Sequence, residues 1–266
     1  MHPSVTIETK CWENDWELVL KTDRIQRVVE SCAFDFARKT LVINNVRSPR
    51  KVCAQAERLV KSGVLSDFHL VADHEDEALD FFELTKAALG AGYVYSIAEL
   101  VGIYLCSTQF LLHFSGDSMP MRAAGWIDAA LQRFGTDPRV KVANLTWNKR
   151  YAEAKSEAFA EDDDFYIGYG FSDQMYLVRT ADFRSAAVYH EKHDMSARYP
   201  EYGGELFEKR TDSWMRNHQF VRLTYKHGSY EHRNFPQSNA GRKLALITAR
   251  MKALAGNRAA GFERKG

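Results

Sequence analysis

The segment Gln109–Pro120, with the sequence QFLLHFSGDSMP, decides how the rest of the chain is interpreted. Its first part is an apolar run, Phe110–Phe114, whose length and lack of helical period predict a strand buried on both faces of a sheet. The run ends abruptly in Ser115-Gly116-Asp117-Ser118. Open α/β sheets bind ligands at the carboxyl ends of their strands, so this pattern predicts the Asp117 carboxylate at a binding edge. The alternative is that Asp117 only caps a helix that follows.

Strand and helix patterns alternate on the amino-terminal side of this segment. Short β-branched or apolar runs predict strands, and apolar residues at helical spacing predict helices. The predicted strands are Val5–Thr9, Thr40–Val46 and Phe68–Val71, and the predicted helices are Trp16–Cys32, Val52–Lys61 and Ser96–Cys106. Such alternation is typical of βαβ units. The sequence therefore predicts an α/β fold with a mostly parallel central sheet flanked by helices.

The pattern changes after Pro120 and predicts a second, smaller region of the same domain. A short helix is predicted at Gly125–Leu131, and strands are predicted at Val140–Ala143, Ser172–Val178 and Phe220–Tyr225. The four consecutive acids at positions 161–164 are interpreted as a solvated loop, because sites for hard cations normally space their ligands. Residues 1–238 are thus predicted to form one domain, divided into 1–120 and 121–238.

A helix is predicted to begin just after the glycine pair at positions 203 and 204 and to run to about Asn217. On it, Glu205, Glu208 and Asp212 are three and four residues apart and would share one face. Larger side chains, among them Trp214, would share another face. An acidic face beside an aromatic one suits a helix that lines a polar cleft, and it equally suits an ordinary surface helix.

The length, charge and cysteine content of the chain argue against several classes of protein. The chain has 266 residues with 36 Lys and Arg against 35 Asp and Glu, so its charge does not indicate a nucleic-acid partner. The four cysteines are scattered, which argues against a disulfide framework or a thiolate metal site. No leader sequence is evident, and polar residues interrupt the most apolar region, Ala88–Phe114, which is expected to be a helix followed by a strand. A cytoplasmic protein is expected.

Residues 239–266 are predicted to form a basic amphipathic helix or tail. From Gly241 onward this segment has seven Lys and Arg against one acid, and Leu244, Ile247, Met251 and Leu254 recur at helical spacing. Such a helix can rest on the inner face of an anionic membrane, which would make the protein peripheral there. It can equally dock its apolar stripe on the sheet domain.

Taken in order, these segments resemble the nucleotide-sugar glycosyltransferases of the GT-A fold, in particular the large inverting group known as family 2. The resemblance extends from about Val5 to His232 and rests on four segments. They are the first strand with Ile43-Asn44-Asn45 after it, the helix and strand that end in Ser115-Gly116-Asp117, the stretch from Gly125-Trp126 to Val140, and Glu205-Leu206-Phe207-Glu208 followed by Trp214-Met215-Arg216 and His232.

The resemblance implies transfer of a sugar from a nucleotide-diphosphate donor, such as a UDP- or GDP-sugar, to a saccharide or lipid-linked acceptor in polysaccharide biosynthesis, with inversion expected. It implies that Thr9, Asn45, Ser115 and Asp117 contact the nucleotide sugar. Asp117 is further predicted to bind a divalent cation, Mn²⁺ or Mg²⁺, that neutralises the diphosphate. His232 is predicted to be either a second ligand of that cation or a hydrogen-bond donor to the phosphate.

The reaction also needs a carboxylate base within hydrogen-bond reach of the acceptor hydroxyl. Glu208 is the first choice because of its spacing ahead of Trp214-Met215-Arg216, and Glu205 is the close competitor. Being three residues apart, the two could share the site, where like charge would raise one pKa. Tyr202 or Trp214 could stack on a sugar ring, with core packing as the alternative role for Trp214.

The sequence also departs from the family pattern. Ser115 stands in place of the first aspartate of the Asp-x-Asp motif, Asn45 in place of an acid that reads the base, and Glu99-Leu100 in place of a frequent Arg-Asn pair. These departures motivate an alternative function, a catalytically silent GT-A-like module that binds a saccharide or a protein. A nucleotidyltransferase is a third reading, which the lack of a Gly-rich basic phosphate loop after the first strand opposes.

Overall fold

The computed structural model describes residues 3–121, 123–199, 204–249 and 251. The strands are β1 (Val5–Cys11), β2 (Arg38–Ile43), β3 (Asp67–Leu70), β4 (Phe110–Phe114), β5 (Ser118–Pro120), β6 (Val140–Trp147), β7 (Ala158–Glu161), β8 (Phe165–Gly168), β9 (Met175–Arg179) and β10 (Val221–His232). The helices are α1 (Trp16–Leu20), α2 (Arg24–Cys32), α3 (Pro49–Lys61), α4 (Glu75–Phe81), α5 (Lys86–Leu89), α6 (Tyr93–Leu105), α7 (Trp126–Thr136), α8 (Tyr151–Ser156), α9 (Thr180–Phe183) and α10 (Phe207–Asn217).

The strands form one mixed sheet in the order β3-β2-β1-β4-β9-β6-β10-β8-β7, with β5 paired to β10. Strands β3, β2, β1 and β4 are parallel, as are β6 and β10. Strand β9 runs antiparallel to both of its neighbours, β4 and β6. The prediction of an α/β fold with a largely parallel sheet is confirmed.

Strand β4 lies inside the sheet as its apolar sequence predicts. All five of its residues are buried, and it pairs with β1 on one side and β9 on the other. Two apolar clusters cover the two faces: Leu111 belongs to the cluster that contains α6, and Leu112 to the cluster that contains α7. Alternate residues of one strand thus hold helices on both faces of the sheet.

The element that follows β4 differs from one of the sequence-based alternatives. The turn that contains Asp117 is followed by β5, a strand that pairs with the end of β10, and not by a helix. The interpretation of Asp117 as a helix cap is therefore wrong. The predicted single helix Trp16–Cys32 is also interrupted, because α1 ends at Leu20 and α2 begins at Arg24.

The predicted acidic helical face in the second half is also revised. Helix α10 begins at Phe207, so Glu205 precedes the helix and does not share a helical face with Glu208. Asp212 is fully buried, where its carboxylate accepts hydrogen bonds from Ser196 and Arg216. The three acids therefore do not line one cleft together.

The stretch Lys86–Leu105 is helical over 20 residues and is apolar enough to cross a membrane by composition, with a mean hydropathy of 1.4. It consists of α5, a 3₁₀ turn at Gly90–Gly92 and α6, and it starts ten residues before the predicted helix Ser96–Cys106. However, 56% of its most apolar window is buried inside the fold. Residues of α6 pack in the core cluster that covers one face of the sheet, which is the arrangement of a core helix.

Residues 239–249 are helical, and residues 250 and 252–266 lie outside the described residues, so the predicted basic amphipathic helix over 239–266 stays a prediction. Leu244, Ile247 and Met251, the described members of the apolar stripe, are exposed and are not packed on the sheet. The division of residues 1–238 into two halves remains a prediction.

Candidate functional site

A cavity of about 650 Å³ opens at the carboxyl ends of β1, β2 and β4. We call it the first cavity. It is lined by Lys10, Cys11, Trp12, Glu13, Asn14, Asp15, Asn44, Asn45, Arg47, Val94, Tyr95, Ser115, Gly116, Asp117, Asp173, Gln174, His232 and Asn234. Its size is that of a typical small-molecule site, and its place is the one at which open α/β sheets bind ligands.

Asp117 and His232 face each other in the first cavity. Nε2 of His232 is 3.2 Å from Oδ2 of Asp117, and the Ser115 hydroxyl donates a hydrogen bond of 2.9 Å to Oδ1 of the same carboxylate. The pair is assembled by the sheet, because β5 pairs with β10 in a register that sets His232 opposite Ser118. Two residues far apart in the sequence are thereby held on rigid backbone.

The electrostatics of this pair favour its charged form. Burial acts to raise the pKa of Asp117, but hydrogen bonds from His232 and Ser115 and the charge of the imidazole outweigh it, and the pKa is lowered. The hydrogen bond to Asp117 raises the pKa of His232 above its ordinary value. The lowered pKa therefore keeps the Asp117 carboxylate ionised over the physiological pH range.

The turn that presents Asp117 is fixed by Arg24 and by a close backbone approach. The Arg24 guanidinium donates hydrogen bonds to the carbonyl oxygens of Gly116 (2.6 Å) and Ser118 (3.0 Å). A Cβ at Gly116 would lie 2.7 Å from the carbonyl oxygen of Lys10, closer than real Cβ contacts come. Glycine is therefore required here for lack of space.

Lys10, at the end of β1, lines the first cavity above a buried carboxylate. Its ammonium group is ion-paired with Glu99 of α6, which is fully buried, and its Nζ lies 3.9 Å from Oδ2 of Asp173. Burial acts to lower the pKa of Lys10, but these carboxylates outweigh it and raise the pKa. Lys10 is thus a fixed positive charge in the cavity wall.

The first cavity is nevertheless short of positive charge for an anionic ligand. Lys10, Arg47 and the His232 imidazolium are set against four carboxylates, those of Glu13, Asp15, Asp117 and Asp173. Burial, helped by the charge of Asp117, raises the pKa of Asp15 to about 7 against the hydrogen bond from Trp12. A bound diphosphate would need additional cationic charge, and a divalent cation supplies it.

Two exposed aromatic side chains stand at the rim of the first cavity. Trp12 is 45% exposed and Tyr95 is 53% exposed, although large aromatic side chains are usually covered in a folded domain. Asn45 lies between β2 and α3 with a φ of 46°, a left-handed conformation that asparagine tolerates. Planar rings beside an amide suit the binding of a flat heterocycle.

A second cavity of about 240 Å³ adjoins the first. It is lined by Asn144, Trp147, Arg150, Glu153, Ala154, Glu157, Phe171, Ser172, Gln174, Glu208, Arg222, Thr224 and Tyr230, so that Gln174 lines both cavities. Oε1 of Glu208 accepts a hydrogen bond of 3.2 Å from the backbone N–H of Asp173. Burial, followed by the charge of Asp173, raises the pKa of Glu208 well above its ordinary value.

The predicted site residues are therefore divided between the two cavities and other places. Asn45, Ser115, Asp117 and His232 line the first cavity, and Glu208 lines the second. Thr9 lines neither of these two cavities, and its hydroxyl donates a hydrogen bond of 2.8 Å to the carbonyl oxygen of Phe114.

The remaining candidates lie apart from both cavities. The Glu205 carboxylate is ion-paired with Lys209 at 2.8 Å and lines neither cavity. Trp214 is buried against Phe183 and Phe220, which agrees with the core role for it and leaves no ring free for a sugar. Tyr202 lies outside the described residues.

Asp117 and His232 are the residues best placed to hold a divalent cation. Within residues 3–121, 123–199, 204–249 and 251, no group of three or more His, Cys, Asp or Glu side chains is arranged to hold a metal ion unaided. Mg²⁺ and Mn²⁺ are usually bound through one or two protein ligands, with water and phosphate oxygens completing the shell. The pair fits a cation that arrives with a phosphate ligand and displaces the proton from His232, because histidine binds a metal in its neutral form.

Several residues of the first cavity were not identified from the sequence. Lys10 and Trp12 directly follow the predicted first strand Val5–Thr9, which extends to Cys11 in the structure. If the first strand had been predicted to end at Cys11 rather than at Thr9, Lys10 and Trp12 would have been recognised as residues at the sheet edge. Asp173 was assigned to a strand by its apolar neighbours, and nothing local indicates that it faces Lys10.

Comparison with known proteins supports the fold. No protein-family model matches the chain, and no curated protein matches it in sequence. A glucosyl-3-phosphoglycerate synthase from Mycobacterium tuberculosis, in complex with Mn²⁺, UDP and glucosyl-3-phosphoglycerate, matches with a TM-score of 0.48 and 11% identity over 93% of this chain and 80% of its own. GalNAc-T7, with UDP, GalNAc and Mn²⁺, matches with a TM-score of 0.54 and 8% identity over 86% of this chain.

This chain covers 44% of the GalNAc-T7 chain, so the likeness concerns one part of that protein. At this level of identity the match establishes the fold. The resemblance to the GT-A fold of nucleotide-sugar glycosyltransferases is thereby confirmed as a structural likeness.

Proposed function

We propose that this chain is a glycosyltransferase that moves a hexosyl group from a nucleotide-diphosphate sugar to a saccharide or lipid-linked saccharide. The observation that carries the proposal is the Asp117–His232 pair, held by β-sheet pairing in a cavity at the carboxyl edge of the sheet. The structures it resembles in fold supply a consistent precedent, since the GalNAc-T7 crystal contains UDP and Mn²⁺. Synthesis of a polysaccharide is the process we assign to it.

In this proposal the first cavity binds the donor. The nucleotide base lies against Trp12 and Tyr95 near Asn45, and the diphosphate lies by Asp117, His232 and Lys10. Asp117 and His232 would hold a divalent cation, Mn²⁺ or Mg²⁺, which when bound neutralises the charge that develops on the departing diphosphate. Ser115 keeps the Asp117 carboxylate oriented through its hydrogen bond.

Glu208 is the base in this proposal. It lies at the boundary between the cavities, and its raised pKa makes it a stronger proton acceptor than an ordinary glutamate once ionised. Glu205 is less suited, because it is ion-paired with Lys209, which contributes first to the lowering of its pKa. Attack by a hydroxyl activated at Glu208, opposite the leaving diphosphate, would invert the anomeric carbon.

We assign the protein to the cytoplasm, peripheral on the inner face of the membrane. The described helix at residues 239–249 carries Arg242 and Lys243 and presents Leu244 and Ile247 to solvent, a composition suited to an anionic lipid surface. Sedimentation with phosphatidylglycerol vesicles tests this directly. Equal recovery on neutral phosphatidylcholine vesicles, or equal recovery of a chain truncated after residue 238, would contradict the assignment.

The experiment that tests the function is a thermal-shift screen of UDP, GDP, CMP and dTDP and their sugar conjugates, with and without Mn²⁺. A nucleotide at about 100 times its Kd should stabilise the wild type by about 2.7 kcal/mol, a shift of several degrees. Asp117→Ala should remove the part of that shift that depends on Mn²⁺. If no nucleotide or nucleotide sugar shifts or is consumed by the wild type, the proposal is wrong.

A second candidate is a catalytically silent module of the same fold that binds a saccharide or a partner protein. It is favoured by Ser115, which leaves the Asp117 turn with one carboxylate, and by the lack of a cluster of three metal ligands among the described residues. Saccharide binding that is saturable, without Mn²⁺-dependent nucleotide binding, would establish this candidate in place of the first.

A further inference from the structure

The second cavity is placed to receive the other substrate. It is separated from the first cavity by the Asp173-Gln174 backbone, and Gln174 contributes to both walls. Oε1 of Glu208 accepts the Asp173 N–H, so the proposed base lies against that separating backbone. A hydroxyl group bound in the second cavity near Glu208 would thus be close to the end of a donor bound in the first.

The charges in the wall of the second cavity are already paired. The guanidinium of Arg222 donates a hydrogen bond of 3.2 Å to Glu157, and that of Arg150 donates one of 3.0 Å to Glu153. With Glu208, three glutamates face two arginines. An anionic ligand would have to compete with these carboxylates for both arginines, so the cavity is better suited to a neutral molecule.

Polar and aromatic side chains nevertheless make up almost all of this wall. Trp147 Nε1 and Arg222 Nε are both buried N–H groups without an acceptor among the described residues. The Arg150 guanidinium lies over the Trp147 ring at 4.2 Å. Asn144 and Thr224 also line the cavity, where the Thr224 hydroxyl donates a hydrogen bond of 3.1 Å to the Asn144 amide oxygen and leaves the amide NH₂ as a donor. Donors and acceptors around flat rings match a ligand that is rich in hydroxyl groups, since each hydroxyl both donates and accepts.

We propose that the second cavity binds an uncharged saccharide as the acceptor, with Trp147 and Arg222 as residues that determine its affinity. As an acceptor site the inference rests on the proposed glycosyltransferase function. As a saccharide site it is a property of the second cavity itself. The test below separates the two.

The test measures saccharide binding directly. Saturation-transfer NMR is run with a panel of glucose, galactose, mannose, N-acetylglucosamine, maltose, cellobiose and lactose, and with phosphoglyceric acid as the anionic comparator. Each is measured with and without UDP and Mn²⁺. The variants are Arg222→Met and Trp147→Phe. The nucleotide Kd of each variant is measured by titration calorimetry, and a cooperative unfolding transition in scanning calorimetry reports whether the variant is folded.

A matched control is Arg133→Met. Arg133 is also ion-paired to a carboxylate, that of Asp162, at 3.2 Å, and its Nε is also buried without an acceptor among the described residues. It lines neither the first nor the second cavity. If the loss of any paired arginine weakens sugar binding, both Arg222→Met and Arg133→Met should show the weakening. If the weakening arises in the second cavity, only Arg222→Met of these two should show it.

We expect at least one sugar of the panel to bind, and its Kd to rise tenfold or more in Arg222→Met and Trp147→Phe but less than twofold in Arg133→Met. The nucleotide Kd should stay within twofold in all three. The inference is overturned if phosphoglyceric acid displaces every sugar, if no sugar binds, or if the two cavity variants bind sugar like the wild type. Sugar binding with this pattern but without any nucleotide binding would keep the saccharide site and refute the transferase function.

Discussion

Gly116→Ala tests whether the position of the Asp117 turn matters for the proposed donor site. A Cβ at Gly116 would lie 2.7 Å from the Lys10 carbonyl oxygen and 3.2 Å from both Oδ2 of Asp15 and Cγ2 of Val19. The closest of these atoms belongs to the backbone of β1, which is paired on both sides. Either the turn moves away from the strand, against the Arg24 hydrogen bonds to Gly116 and Ser118, or the end of β1 is displaced.

The size of the effect follows from these distances. To reach even the tightest ordinary contact, the new methyl group must withdraw by roughly 0.3–0.7 Å, and overpacking of this kind costs about 1–3 kcal/mol. The displacement pulls Asp117 away from His232, which it now approaches at 3.2 Å. Disturbing the groups that orient a metal ligand costs about 10–100-fold in affinity, and we expect UDP binding with Mn²⁺ to weaken by that factor.

The assay combines scanning calorimetry with titration of UDP in the presence of Mn²⁺. The control is Gly135→Ala in helix α7, where no atom lies within 4 Å of the added Cβ, and where alanine should stabilise by up to about 1 kcal/mol. Gly116→Ala should lower the Tm by several degrees and weaken UDP binding. Wild-type Tm and wild-type affinity in Gly116→Ala would refute the reasoning.

Three further predictions concern single side chains. Burial and the charge of Asp173 raise the pKa of Glu208, so the acid limb of the pH profile of kcat/KM should lie well above the ordinary glutamate pKa of about 4.3. Glu208→Gln should abolish transfer while keeping nucleotide affinity. An active Glu208→Gln variant would show that another group is the base. His232→Gln should weaken Mn²⁺ binding about tenfold or more by electron paramagnetic resonance. The pKa of His232 is raised in the folded state. The stability that the charged imidazole contributes is therefore fully present below the unfolded histidine pKa of about 6.5 and is lost as the pH rises through the folded pKa. In urea unfolding, His232→Gln should lower the free energy of unfolding more at pH 6 than at pH 9, and an equal loss at both pH values would contradict the pairing. Gly102→Ala would drive a Cβ into the buried Glu8 carboxylate, so it should destabilise by about 1–3 kcal/mol despite the better helix propensity of alanine; a raised Tm would refute this packing.

The sequence predicted the parts of the fold that local patterns determine. An apolar run too short for a helix identified β4, and all five residues from Phe110 to Phe114 are buried as expected. Its polar ending identified Asp117 as a residue at the sheet edge, and Asp117 lines the first cavity. These predictions succeeded because burial of a strand and termination of a strand are properties of neighbouring residues.

Features that depend on pairing between distant segments were not predictable in this way. Lys10 and Glu99 are joined across 89 positions, and no local pattern around either indicates the other. The reversed direction of β9 likewise depends on its fit between β4 and β6. His232 was predicted as a site residue through the family resemblance. Its contact with Asp117, which supports that prediction, arises only through the pairing of β5 with β10.

The assignment of the base shows how a small boundary error matters. Placing Glu205 and Glu208 on one helix made them near-equivalent candidates in the sequence. Helix α10 begins only at Phe207, so Glu205 lies before the first turn and pairs with Lys209, while Glu208 reaches the second cavity. A shift of two residues at a helix start, which sequence patterns rarely resolve, separates the two roles.

The serine at position 115 can be understood from the charges around it. The first cavity already holds the carboxylates of Asp15, Asp117 and Asp173 against few cations. A further carboxylate at position 115 would raise the pKa of Asp117 by repulsion, whereas the Ser115 hydroxyl donates to Asp117, contributes to the lowering of its pKa and adds no charge. Ser118 lies 2.8 Å from the Ser115 hydroxyl and completes the chain of hydrogen bonds. Serine at position 115, where the Asp-x-Asp motif that the sequence resembles has an aspartate, therefore keeps Asp117 ionised, which is the state that the proposed cation site requires.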